Sequence, residues 1–79
     1  LTSKQDLIYM IIKRSITIKK HSTSISLESP FWVSLHEIAS SQKMSLASLV
    51  GEIDERRSKQ NKFGLSSAIR IFVLEYYKN

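Results

Sequence analysis

The sequence predicts a mainly α-helical domain with a short β-ribbon, assembled as an intertwined homodimer and carrying an additional C-terminal helix. Three observations point there. In "TSISLESPFWVSLHEIASSQKMSLASLVGEID", Thr23 to Asp54, apolar residues recur at every second position before Pro30 and at every third or fourth after it, the change from strand to helix periodicity. The chain has 79 residues and no cysteine. A lone domain of this size buries only about 60% of its extended-chain surface, and neither a disulfide nor a thiolate zinc site can compensate here. Finally, a short strand leaves N–H and C=O groups unpaired on both edges, and a two-stranded ribbon is marginal without helices beneath it. A second copy of the chain meets both needs: Ile25 and Leu27 of each strand turn toward the helices, and Ser24 and Ser26 turn away.

The elements follow in order. Residues 1–12 read as an N-terminal appendage or an extra strand, and 13–79 as the domain proper. Two alternating stretches come next: "SITI", with Ile16 and Ile18 on one side, and "TSISL", with Ile25 and Leu27 on one side. Ser15, Thr17, Ser24 and Ser26 fall on the opposite faces. The connection "KKHS" has no glycine or asparagine, which disfavours a tight two-residue hairpin because that turn needs positive φ. The stretches pair either through a looser loop or with another chain.

Ser29 as N-cap and Pro30 at the first helical position open a helix that ends near Ser41 to Lys43. Its apolar stripe is Phe31, Leu35, Ile38 and Ala39, with Trp32 at the edge. Ser45 starts a second helix, in which Leu46, Leu49, Val50 and Ile53 recur at helical spacing and Arg56 and Arg57 occupy the last turn. Gly51, mid-helix, suggests a close helix–helix contact. A basic linker, "SKQNKFG", leads to a third helix from Leu65 or Ser66, apolar almost all round and therefore destined for the core or a subunit interface.

Charge is segregated. Net charge is +5, with Lys13, Arg14, Lys19 and Lys20 unopposed at one end and Arg56, Arg57, Lys59 and Lys62 unopposed later. Between them, positions 28 to 55 hold five acids and one cation, Lys43. Such clustering suggests a basic face that attracts a polyanion. The longest apolar run, "LIYMII", falls far short of the ~20 residues a membrane span needs. No secretory leader is evident, so a cytoplasmic protein with no membrane association is expected.

The ordered series "KRSITI", "TSISLE", "FW", "L.EIA", "SL..LV.EID" and "LSSAIR.FVLE", across positions 13 to 75, resembles the ribbon-helix-helix domain of the Arc and MetJ type. More narrowly it is similar to a subfamily of small uncharacterised bacterial proteins. That subfamily has a glycine before the histidine where this chain has Lys20. The resemblance implies a dimeric DNA-binding transcription regulator whose paired ribbon enters the major groove of double-stranded DNA. It assigns Lys20, Ser22, Ser24 and Ser26 to the base-facing side, with Glu28 where the strand ends. It assigns phosphate contacts to Arg14, Lys19 and Lys43, and to the N-terminus of the second helix at Ser45, Leu46 and Ala47. The expected dimer core is Ile25, Leu27, Leu35, Ile38, Leu49, Val50, Ile53, Ile69 and Phe72.

No catalytic constellation is present, so no enzyme is expected. His21 and His36 lie 15 apart without a cysteine or suitably spaced carboxylate, so neither a metal nor another cofactor is expected. The rival function is a protein-interaction dimer, antitoxin-like or adaptor-like. In that reading the ribbon serves mainly for dimerisation, and the third helix or "LIYMII" holds a protein partner.

Overall fold

In the computed structural model, which describes residues 10–60 and 64–79, the two alternating stretches become strands β1 (Ile11–Ile18) and β2 (His21–Glu28) of one antiparallel ribbon. Residues 1–9 of the expected appendage lie outside the described residues, while Ile11 and Ile12 belong to β1. Three helices follow: α1 (Ser29–Ser41), α2 (Leu46–Gln60) and α3 (Leu65–Lys78).

The ribbon corrects two expectations. Its register pairs Ile18 with His21, so Lys19 and Lys20 alone make the turn. Both take positive φ, 49° and 71°, the sign pattern of a type I′ hairpin turn. The tight hairpin thus forms without glycine or asparagine. Consequently β2 is completed on one edge by its own chain and not solely by an identical strand from another molecule. Magnitudes explain the outcome. Two lysines in the left-handed region cost about 1–2 kcal/mol each, whereas recruiting a separate chain forfeits about 4–15 kcal/mol of translational and rotational freedom.

The register also sorts the side chains. Ile16, Ile25 and Leu27 are buried against the helices, and a one-residue slip would send Ser24 and Ser26 into that interior instead. Beneath the ribbon, Trp32, Leu35, Ile38 and Ala39 of α1 meet Leu49, Val50 and Ile53 of α2, and Ala68, Ile69 and Val73 of α3. Of the residues expected to close against a second chain, all but Phe72 are already buried by their own chain, and Phe72 is half-buried. These residues are thus buried within a single chain.

Local details explain the helix boundaries. Ser29 is the first residue of α1, not its cap: its N–H donates to the Met10 carbonyl at 2.9 Å and so extends the ribbon ladder. Glu28, still extended, occupies the cap position. Trp32 is core, 2% exposed, and Phe31 lies at the edge, the reverse of the expected order. The indole is accommodated because its Nε1–H donates to the Ile12 carbonyl at 2.9 Å.

Helix α1 ends in a Schellman arrangement. Met44 N–H donates to the Ala39 carbonyl and Lys43 N–H to the Ser40 carbonyl, with Lys43 at φ 56° where glycine is usual. Gly51 of α2 faces the ribbon rather than another helix, since a β-carbon there would sit 3.5 Å from Ile18 Cγ2. Helix α2 runs on through Ser58 and Lys59, shortening the expected linker. Helix α3 buries one side only; Ile71, Leu74 and Tyr77 remain exposed.

Candidate nucleic-acid interface

The outer face of the ribbon gathers the polar residues of both strands. Cross-strand pairs there are Lys13 with Ser26, Ser15 with Ser24, and Thr17 with Ser22. All are exposed except Ser26, which is half-buried. Of the predicted base-facing residues, Ser22, Ser24 and Ser26 therefore share one surface, and Lys20 stands exposed in the turn beside them. Lys13, Ser15 and Thr17 complete this surface; Lys13 belongs to the basic cluster legible in the sequence, while Ser15 and Thr17 were not among the predicted site residues. The alternation in "KRSITI" was the available signal, since extending the Ser15 and Thr17 parity back two positions reaches Lys13.

Backbone geometry matters as much. A two-residue turn makes Ile18 and His21 a hydrogen-bonded pair, so every second pair from there is also hydrogen-bonded. The Ser29 N–H to Met10 carbonyl bond continues that series. Thr17–Ser22, Ser15–Ser24 and Lys13–Ser26 are then the non-hydrogen-bonded pairs, whose N–H and C=O groups point away from the ribbon. Among the described residues the far edge of β2 is unpaired and thus presents the backbone of Ser22, Ser24 and Ser26.

The predicted phosphate contacts are divided. Arg14 has the inner-face parity, opposite Ile25, and its guanidinium lies 5.2 Å from the centroid of the Trp32 ring. It is exposed, yet set apart from Lys13 and the serines. Lys19 lies 3.8 Å from Glu55, with both side chains more than half exposed, a pair of little energetic weight.

Ser45 does cap α2: its Oγ accepts from the Ser48 N–H at 3.0 Å and donates to the Ser48 Oγ at 2.9 Å. That leaves the Leu46 and Ala47 amides of the first turn without intrahelical acceptors. Lys19 and Ala47 line opposite walls of a groove of about 450 Å³ between the turn and α2, together with Glu52 and Glu55. These carboxylates make the groove itself hostile to phosphate, and Lys43 stands exposed in the loop before α2.

Where β2 ends, Arg70 of α3 holds Glu28, with Nε donating to Oε1 at 2.8 Å and Nη2 to Oε2 at 3.2 Å. The Arg70 hydrogen bond, assisted by a backbone hydrogen bond, holds the Glu28 carboxyl below the usual glutamate range. Among the described residues no group of three or more histidines and carboxylates could hold a metal, and no helix is long and apolar enough to cross a membrane.

A polar two-stranded ribbon laid over a helix pair, entered through a proline-bearing first turn and followed by a serine-capped second helix, matches a family model described as a ribbon-helix-helix domain over residues 11–77. The chain belongs to the ribbon-helix-helix family. Such domains are typical of DNA-binding regulators and antitoxins. Among solved structures, an uncharacterized protein from Bordetella pertussis Tohama I is similar, with a TM-score of 0.78 and 28% sequence identity. The match covers 95% of this chain and 61% of that one, so this ribbon-helix-helix chain spans under two thirds of its relative's length. No curated protein matches.

Proposed function

We propose that this protein is a DNA-binding transcriptional regulator that presents the outer face of its ribbon to the major groove as a homodimer in the cytoplasm. One observation carries the reading. A surface built from Lys13, Ser15, Thr17, Ser22, Ser24 and Ser26, with Lys20 at its tip, has cations for phosphate and hydroxyls that pair with either donors or acceptors on base edges. In the dimer the two β2 strands form the central two-stranded ribbon, which fits the groove by width, with the β1 strands at its sides. Hydroxyls discriminate bases weakly, so sequence preference falls to Lys13 and Lys20, which can bond guanine, and to DNA shape.

The dimer forms by adding β2 to β2 across their free edges, antiparallel and centred on Ser24, so that Ser22 faces Ser26 of the partner subunit. The β2 edge suits this because its outward residues are small hydroxyls, whereas the β1 edge carries Lys13, a charge of the kind that blocks edge pairing.

The test is binding to a random-sequence duplex between 50 and 200 mM salt (about the range over which phosphate contacts are lost). Affinity should fall steeply with salt. Lys13→Ala and Lys20→Ala should each reduce the salt slope by about 1 on every sequence. Binding that is flat in salt would rule the reading out. In sedimentation, Ser24→Pro should yield monomer while keeping the hairpin, because the lost N–H points outward.

A second reading has its own observation. Ile71, Leu74 and Tyr77, 43%, 56% and 55% exposed, form a stripe along α3, which suits a protein-interaction dimer of antitoxin or adaptor type. In that case Leu74→Ser would abolish partner capture and leave DNA binding unchanged.

A further inference from the structure

We propose that Arg70 is a positioning residue for DNA docking, removing the charge of Glu28 from the end of the ribbon face; the inference rests on the DNA-binding reading above. Glu28 shares its parity in β2 with Ser22, Ser24 and Ser26, and it stands opposite Ile11 where the strand passes into α1. A free carboxylate there would oppose the phosphates that Lys13 and Lys20 attract.

Glu28 is the only acid on β1, β2 or their turn. Its answer comes from 42 residues away in sequence, through two hydrogen bonds that engage both carboxylate oxygens. The guanidinium itself is steadied over the Phe31 ring, 6.0 Å from its centroid. This fork geometry fixes the pair in a way that a lysine would not reproduce. Helix α3 thereby does more than cover the core: it sets the electrostatic character of a surface on the opposite layer.

The arrangement makes a distinctive forecast for the full chain and a random-sequence duplex. Arg70→Gln should weaken binding about fivefold at low salt, with the loss shrinking as the Debye length shortens. Adding Glu28→Gln to Arg70→Gln should return affinity to within about twofold of the unchanged protein, because the offending charge is gone. Glu28→Gln alone, which keeps Arg70, should bind at least as tightly as the unchanged protein.

Unaltered affinity in Arg70→Gln overturns the inference while leaving the DNA reading intact. A double variant that stays weak also overturns it, by assigning Arg70 a merely structural role. If Arg70→Gln does not fold, Glu28→Gln decides alone: weaker binding contradicts the proposal and tighter binding supports it. An unchanged protein that binds no DNA removes the proposal together with the reading beneath it.

Discussion

On the inner face of β2, Ile25 and Leu27 are buried in the core of their own chain, whereas on its outer face Ser22 and Ser24 stand in solvent and Ser26 is half-covered. The same eight residues thus obey two sets of constraints. Inside, shape and apolar area decide, and Leu27 at 0% exposure has no room for substitution. Outside, nothing in the packing of the chain requires a particular side chain, so residue identity there is free to answer to a ligand. The turn joins the two regimes. Lys19 and Lys20 adopt a conformation that glycine would take without strain, and they place cations at the tip of the polar face.

The contrast can be broken most severely from inside. Leu27→Ala should cost about 2–5 kcal/mol in denaturant unfolding, while Ser24→Ala should stay within about 0.5 kcal/mol. Equal costs would mean that the outer face is structural after all. At the turn, Lys20→Gly should gain about 1 kcal/mol by relieving left-handed strain and yet weaken DNA binding. Opposite signs in the two assays would show that the lysine is kept for its charge; a loss in both would show that the turn depends on lysine itself. Lys43→Gly, at the end of α1, should bring a similar gain.

The smallest effect concerns acid. Glu28 has a lowered carboxyl pKa in the fold, so its contribution to stability is present above the ordinary glutamate value of about 4.3 and disappears as pH falls through the lowered one. Glu28→Gln should flatten thermal stability against pH in that acidic window alone. An unchanged profile would mean that the Arg70 pair does not persist in solution.

Much of this was legible in the sequence, because periodicity reports directly on burial. Ile16, Ile25, Leu27, Leu35, Ile38, Leu49, Val50 and Ile53 all lie where their spacing placed them. The Ser45 cap likewise follows from local chemistry alone. What escaped notice depended on tertiary context. Composition argued against the hairpin, since the propensity of lysine for negative φ is overridden once two apolar strands can be zipped over a helix pair. Spacing puts Trp32 at the edge of its stripe; in the fold it is buried, and the Ile12 carbonyl supplies a partner for its indole N–H. Gly51 signalled a close approach, but only the fold reveals that Ile18 is what approaches. Arg70 lies in a helix that is apolar almost all round, and no local pattern links it to Glu28 across 42 positions.

The central claim is that the ribbon's polar face is where DNA binds. Amide NMR spectra recorded while a random-sequence duplex is added at low salt test it residue by residue. The largest shifts are expected at Lys13, Ser15, Lys20, Ser22, Ser24 and Ser26, with Ile71 and Leu74 of α3 unmoved. Shifts concentrated on α3, or on the groove between the turn and α2, with the ribbon silent, would contradict it.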